Sequence, residues 1–139
     1  MKVDMELPSS SSELPAVQKP VVLVVDDNED NLSLLAFLVE QLDCTILTAL
    51  DGQTALDLAQ RYQPVLILLD MMLPDIDGIE VLSRLRQNSL TATIPVIAVT
   101  AMARSQDRER ILSAGCDEYV TKPFNVDEIE ALLLRYLGK

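Results

Sequence analysis

Val21-Val22-Leu23-Val24-Val25-Asp26-Asp27-Asn28 is the stretch that decides the fold. Its first five residues are apolar and mostly β-branched, which is typical of a buried strand. Two aspartates end this run, and Asn28 is a residue type that often caps the start of a helix. Apolar residues then recur at helical spacing, at Leu32, Leu35, Leu38, Val39 and Leu42. The stretch therefore predicts a strand that leads directly into a helix.

The same order of strand and helix recurs four more times along the chain. Further strands are predicted at 44–50, 65–69, 95–99 and 118–121, and each precedes a segment with helical periodicity. Polar residues mark several predicted helix starts, among them Asp77 and Asn125. Strands that are apolar on both faces and alternate with helices indicate an α/β domain whose parallel sheet is covered on both sides.

Polar residues follow the predicted strands at the points where those strands end. They are Asp26, Asp27, Asp70, Thr100 and Lys122. Because crossovers between parallel strands are right-handed, all strand carboxyl ends meet at one edge, where α/β proteins hold their sites. Clustered carboxylates favour a divalent cation, and an oxygen-only ligand set suits Mg²⁺. A carboxylate can also attack phosphorus, while the cation, lysine and hydroxyl neutralise the transferred group.

Each of these residues also has a simpler interpretation. Asp26 and Asp27 can be an acidic pair at a helix N-terminus, which the helix dipole favours. Asp70 can be an ordinary turn residue, and Lys122 before a proline can be a surface lysine. Their convergence on one sheet edge, in compatible chemical roles, favours a site.

The composition excludes several classes of function. The chain has 139 residues, the size of one domain, with a formal charge of −11 that disfavours binding to nucleic acid or an anionic membrane. It contains no histidine, which excludes Ser/His and Cys/His triads and a phosphohistidine of its own. Cys44 and Cys116 are too few for a disulfide framework and fit a reducing compartment.

Residues 1–20 are serine- and proline-rich and are predicted to form a flexible tail before a domain at 21–139. No signal peptide or membrane span is recognisable, so we expect a cytoplasmic protein.

At the level of motifs, the chain resembles a known family. The segments that carry the resemblance are Val24-Val25-Asp26-Asp27-Asn28, Leu69-Asp70-Met71-Met72-Leu73-Pro74, Asp77-Gly78, Val99-Thr100-Ala101 and Lys122-Pro123-Phe124. In this order they resemble the response-regulator receiver domain of two-component signalling, over about 21–137. The resemblance implies a flavodoxin-like (βα)5 three-layer sandwich with sheet order 2-1-3-4-5. The motifs look most similar to receivers of hybrid kinases and phosphorelays.

The resemblance also implies a role for each site residue. Asp70 is the expected phosphoacceptor. Mg²⁺ (or Mn²⁺) is expected to be bound directly by Asp27 and Asp70 and the Met72 backbone carbonyl, with Asp26 acting through water. The expected phosphoryl-binding and switch residues are Thr100, Ala101, Lys122 and Tyr119. Met72 and Met102 are expected to flank the path of the hydrolytic water. Because both are apolar, we expect slow or moderate loss of the phosphoryl group.

The implied function is a phosphorylation-controlled interaction switch rather than an enzyme. The expected donor is a sensor histidine kinase or a histidine phosphotransfer protein, and the expected target is an unidentified protein, with no direct nucleic-acid or membrane binding. The fourth helix, fifth strand and fifth helix are the expected output face by resemblance. Arg104, Arg108 and Arg110 make the fourth helix locally basic, although they can equally form a plain solvated face.

Two other functions occur with similar residues or on the same fold. A haloacid-dehalogenase-like phosphatase also has an aspartate nucleophile and Mg²⁺, but its second aspartate lies two positions after the first. Counted from Asp26 that position is Asn28, and counted from Asp27 it is Glu29. A flavin carrier of the same fold needs a phosphate-binding loop where this chain has acids.

Overall fold

A computed structural model describes residues 19–101 and 104–138. Within these residues, strands and helices alternate along the chain. The elements are β1 (Val21–Val25), α1 (Glu29–Glu40), β2 (Thr45–Ala49), α2 (Gly52–Tyr62), β3 (Leu66–Leu69), α3 (Gly78–Gln87), β4 (Val96–Thr100), α4 (Ser105–Ser113), β5 (Glu118–Thr121) and α5 (Val126–Leu137).

The five strands form one parallel sheet in the order β2-β1-β3-β4-β5. This order confirms the predicted flavodoxin-like fold. The strand bounds differ slightly from the prediction: β4 begins at Val96 and includes Thr100, where the sequence predicted a strand over 95–99. Thr100 is therefore the last residue of a fully buried strand, and its backbone is held by the sheet.

Apolar side chains pack on both faces of the sheet, in two clusters. Alternation along β1 sends Leu23 to the first cluster, with residues of α2 and α3, and Val22 to the second, with residues of α1 and α5. The central strands β3 and β4 are buried along their whole length, whereas Thr45 and Thr48 of the edge strand β2 are exposed. Because helices cover both faces of the sheet, polar side chains that are close together are expected at the ends of the strands.

Side-chain caps start the helices soon after the strands end. The side chain of Asn28 accepts a hydrogen bond from the Asn31 amide at 3.0 Å, and that of Asn125 accepts one from the Asp127 amide at 2.8 Å. Such caps satisfy amide groups that have no partner inside the helix. The loops after β1 and β5 are short, and the caps help to fix the residues in them.

The predicted tail falls largely outside the described residues, which begin at Lys19. The carbonyl of Pro20 accepts a hydrogen bond from the Thr45 amide at 2.8 Å, so residue 20 already runs beside β2. Among residues 19–101 and 104–138, no helix is long and apolar enough to cross a bilayer.

Gly78 allows the chain to fold back closely after β3. A Cβ atom at this position would lie 2.4 Å from the Met71 Cα and 2.9 Å from the Met71 carbonyl oxygen. Both neighbours are backbone atoms and cannot rotate away. The amide of Gly78 donates to that same Met71 carbonyl at 3.0 Å, which closes the loop at its base.

We predict that Gly78→Ala destabilises the fold by about 1–3 kcal/mol, because backbone must shift to admit the methyl group. Urea unfolding followed by far-ultraviolet circular dichroism measures the effect. Gly138→Ala is the control, because a Cβ added there would have no atom within 4 Å. Only the positive φ of 72° disfavours alanine at this position, so we expect a smaller loss of unfolding free energy than for Gly78→Ala. Equal unfolding midpoints for Gly78→Ala and the parent would contradict the close-approach argument.

Candidate phosphoryl-acceptor site

Three carboxylates meet at the carboxyl edge of the sheet. Carboxylate oxygens of Asp26, Asp27 and Asp70 all lie within 4.8 Å of one another. This proximity follows from strand register, because Val25 at the end of β1 pairs with Leu69 at the end of β3. The residues that follow these two are then neighbours. The structure thus brings together the three aspartates that the sequence predicted.

Lys122 bridges two of the three carboxylates. Its Nζ lies 2.8 Å from Asp26 Oδ2 and 2.9 Å from Asp70 Oδ2. The side chain of Lys122 is only 17% exposed, and those of Asp26 and Asp70 are 0% and 5% exposed. At such burial an unpaired charge would be costly, so each group depends on the others.

Backbone amides occupy the other oxygens of the two buried carboxylates. The Asn28 amide donates to Asp26 Oδ1 at 2.9 Å, and the Met72 amide donates to Asp70 Oδ1 at 3.0 Å. Both oxygens of each aspartate therefore accept at least one hydrogen bond. These bonds fix the orientation of the carboxylates, while Asp27 stays exposed at the mouth of the site.

Burial and charge shift two pKa values in this cluster. Burial raises the pKa of Asp26, and the hydrogen bonds from Lys122 and Asn28 offset this only in part. Burial lowers the pKa of Lys122, but the hydrogen bonds to Asp26 and Asp70 outweigh it and the pKa is raised. A raised lysine pKa means that the ion pairs contribute fully below the unfolded-state value, about 10.4, and are lost as pH rises through the folded-state value. The raised pKa of Asp26 has the opposite consequence for stability. Ionisation of Asp26 destabilises the folded state, and a positive charge added nearby would reduce this destabilisation.

The donor set fits a divalent cation. Three carboxylates and one ammonium carry a formal charge of −2, which one divalent ion would balance. The ligands are oxygens, which suits Mg²⁺ or Mn²⁺ rather than softer metals. A hollow of about 530 Å³ opens beside the cluster, lined by Asp27, Met71, Met72, Leu73, Pro74 and Asp77. It offers room for a hydrated ion and a phosphoryl group.

Of the remaining predicted residues, Thr100 ends β4, the strand next to β3 in the sheet. Thr100 is buried, and its carbonyl accepts a hydrogen bond from the Lys122 amide at 2.9 Å. Ala101 follows it and is exposed. Met102, predicted to flank the water path, lies outside the described residues, whereas the side chain of Met72 is exposed.

Tyr119 is not part of the carboxylate cluster. It pairs with Ala98, two positions before the end of β4, and packs against the first apolar cluster. Alternation along β4 places Thr100 on the same face of the sheet as Ala98. Burial, followed by the nearby charge of Asp107, raises the pKa of Tyr119. Its buried hydroxyl has no hydrogen-bond partner among the described residues.

Arg86 is a structurally important residue that the sequence did not reveal. Its guanidinium donates to the Gly115 carbonyl at 2.7 Å, to the Ile94 carbonyl at 2.7 Å and to Asp117 Oδ2 at 3.1 Å. These bonds tie the end of α3 to the segments that lead into β4 and β5. No local pattern signals such a residue, because Gly115 and Asp117 are distant in the sequence and the other partners are backbone carbonyls, which carry no residue-type signature.

Comparison with known proteins agrees with this geometry. Residues 22–134 match the family model of the response regulator receiver domain. The chain belongs to the response-regulator receiver domain family. It is 41% identical over 117 residues to the polar-differentiation response regulator DivK of Brucella anthropi, covering 84% of this chain and 95% of that protein.

Two solved receiver domains illustrate the structural likeness. One is the receiver domain of the Francisella response regulator 1452, with 31% identity, a TM-score of 0.79, and coverage of 86% of this chain and 97% of that one. The other is the receiver domain of a sensor histidine kinase from Pseudomonas aeruginosa, with a magnesium ion coordinated in its active site cleft. It is 32% identical with a TM-score of 0.79, and the match covers 87% of this chain and 99% of that one.

Family membership establishes the general function. The chain is a phosphoacceptor of two-component signalling, in a family that binds Mg²⁺ at an acidic pocket and interacts with histidine kinases or phosphotransfer proteins. The haloacid-dehalogenase alternative finds no support in these comparisons.

We predict that Asp27→Ala stabilises the metal-free protein, because it removes one of three crowded carboxylates. Relief of roughly 1 kcal/mol of repulsion corresponds to a rise of about 3–5 °C in the thermal midpoint measured in EDTA. Glu130→Ala, at an exposed position of α5, controls for the change in net charge. The same Asp27 variant should lose the stabilisation that Mg²⁺ gives the parent. A lower midpoint than that of the control in EDTA would contradict the crowding argument.

Proposed function

We propose that this receiver takes a phosphoryl group from a partner phosphohistidine onto Asp70. A carboxylate oxygen of Asp70 attacks phosphorus, the phosphorus–nitrogen bond breaks, and its electron pair stays on the imidazole of the partner. The phosphohistidine ring carries a proton on its second nitrogen, so the products are an aspartyl phosphate and a neutral histidine. These 139 residues contain no histidine, so the donor group lies outside this sequence.

The observation that carries this assignment is the environment of Asp70 compared with the other two aspartates. Asp26 is 0% exposed, so its carboxylate is inaccessible to an incoming phosphoryl group. Asp27 is exposed, and the Lys122 ammonium pairs with Asp26 and Asp70 instead. Asp70 combines slight exposure with Lys122 and the Met72 amide at its two oxygens. In this arrangement the Lys122 ammonium is close enough to Asp70 to neutralise the oxygens of an attached phosphoryl group.

The cation site deepens the same proposal. Asp27, Asp70 and the Met72 carbonyl would hold Mg²⁺ or Mn²⁺ directly. Asp26 would act through water, since its oxygens already accept bonds from Asn28 and Lys122. When bound, the ion supplies positive charge to the phosphoryl oxygens. The solved Pseudomonas receiver with magnesium in its active site cleft supports this assignment.

Phosphorylation would then change a protein-binding surface. Thr100, Lys122 and the small Ala101 would accommodate the phosphoryl oxygens, and Tyr119 would follow Thr100 because both side chains face the same side of the sheet. We assign the output surface to α4, β5 and α5, where the Arg108 guanidinium carbon lies 5.7 Å from the centre of the Tyr119 ring.

The output partner is a protein rather than nucleic acid, in keeping with the charge of −11. In this proposal the chain acts chemically only on its own aspartate. The chain has only two cysteines, too few for a disulfide framework, and this supports a cytoplasmic location.

We predict that Asp70→Asn abolishes phosphoryl uptake and leaves the fold intact. The amide is nearly isosteric with the carboxylate but does not act as a nucleophile towards phosphorus. Incubation with labelled acetyl phosphate and Mg²⁺, followed by denaturing electrophoresis, measures uptake. Asp57→Asn, at an exposed position of α2, is the matched control and should label like the parent. Undiminished base-labile label on the Asp70 variant would refute the assignment.

We also predict that the double variant Met72→Asn, Met102→Glu loses its phosphoryl group about 10-fold faster than the parent, equivalent to ~1.4 kcal/mol of barrier. Polar side chains can orient a water for in-line attack, which thioethers do poorly. Decay of labelled protein after removal of the donor gives the lifetime. An unchanged decay rate would show that these two side chains do not control water access.

A further inference from the structure

The loop between β3 and α3, residues 70–77, runs largely over the surface. The side chains of Met72, Pro74, Asp75 and Asp77 are exposed or partly exposed. Met71 is buried, and Leu73 and Ile76 are partly buried against the first apolar cluster. This loop forms one wall of the hollow beside Asp27. Because Pro74 and Asp75 at its tip are exposed, the path of the tip depends strongly on polar contacts.

Asp75 supplies the main polar anchor at the tip of this loop. Its Oδ1 accepts a hydrogen bond from the Gly52 amide at 2.7 Å, and its Oδ2 accepts one from the Gln53 amide at 2.9 Å. These are the first two amides of α2, which have no partner within the helix. The two bonds lower the pKa of Asp75, so its carboxylate is charged at neutral pH and interacts favourably with the helix dipole.

A second carboxylate caps the same helix without touching the loop. Asp51 Oδ1 accepts a hydrogen bond from the Thr54 amide at 2.8 Å. Asp51 is the residue just before α2, so its cap is local. Asp75, in contrast, joins two elements 23 residues apart in the sequence. The two residues therefore stabilise one helix end in chemically similar ways, but only Asp75 also holds the loop.

Gly52 permits the loop and the helix to approach this closely. A Cβ atom at this position would lie 3.0 Å from Ile76 Cβ and 3.0 Å from Val81 Cγ2. At the base of the loop, the Gly78 amide donates to the Met71 carbonyl at 3.0 Å. Met72 lies between these two anchors, one residue after the base contact and three before Asp75. Pro74 stiffens the connection, because its ring fixes φ.

We propose that Asp75 is a positioning residue for the divalent-cation site. By fixing the tip of the loop on α2, it holds the Met72 backbone so that its amide meets Asp70 and its carbonyl is available to the ion. This inference rests on the proposed role of the Met72 carbonyl as a metal ligand. Asp75 acts through the loop and does not touch the carboxylate cluster itself.

The test compares Mg²⁺ affinity and stability in three variants of the full chain. Isothermal titration calorimetry with Mg²⁺ gives Kd, and thermal unfolding in EDTA gives stability. Asp75→Ala should weaken Mg²⁺ binding about 10-fold, the lower end of what loss of an outer-shell partner costs. Asp51→Ala should lower stability but leave Kd within about 2-fold of the parent, since a local cap does not hold the loop. Asp75→Asn keeps one acceptor oxygen and should fall between Asp75→Ala and the parent.

Two outcomes would overturn the inference, and they are distinguishable. If Asp75→Ala and Asp51→Ala change Kd equally, Asp75 is only a helix cap, while the proposed function stands. If the parent chain itself does not bind Mg²⁺, the proposed metal site fails together with this inference. Should Asp75→Ala not fold, Asp75→Asn carries the comparison, and a parent-like Kd in that variant together with lowered stability counts against positioning.

Discussion

The ammonium group of Lys122 holds together two buried carboxylates that would otherwise repel each other. It lies 2.8 Å from Asp26 Oδ2 and 2.9 Å from Asp70 Oδ2, at the point where β1, β3 and β5 bring their carboxyl ends to one edge. The arrangement leaves a net formal charge of −2 in the four-group cluster. The Lys122 ammonium thus reduces the repulsion between the buried carboxylates, while the remaining negative charge still favours a divalent ion.

The rest of the structure serves to place these few groups. The Lys122 backbone is fixed by the hydrogen bond that its amide donates to the Thr100 carbonyl. Arg86 ties the segments that lead into β4 and β5 to α3. On the other side of the cluster, the loop after Asp70 is closed by Gly78 and anchored on α2 by Asp75. The strand ends therefore position the carboxylate cluster, and the anchored loop after Asp70 lines the hollow beside it.

The fold and the cluster were predictable from the sequence because their signals are local. Apolar runs of five residues followed by Asp26 or Asp70 indicate both a strand and the point where it ends. Because the strands are parallel, their carboxyl ends then meet at one edge of the sheet. Asp75 and Arg86 could not be found in this way, because their partners lie 22 or more residues away or are backbone atoms without a sequence signature. The end of β4 was misplaced by one residue, since Thr100 is equally compatible with a strand and a loop. The prediction for Met102 stays a prediction, as this residue lies outside the described part of the chain.

The most direct measurement is chemical mapping of the phosphorylated residue. Borohydride reduces an aspartyl phosphate to homoserine, so treatment of the phosphorylated chain and peptide mass spectrometry locate the acceptor without any mutation. The proposed mechanism predicts homoserine at position 70, in a yield that depends on Mg²⁺ and falls to background when EDTA is added before the donor. Homoserine at position 26 or 27 instead, or at position 70 independently of the divalent ion, would contradict the central role given to Asp70 and its cation site.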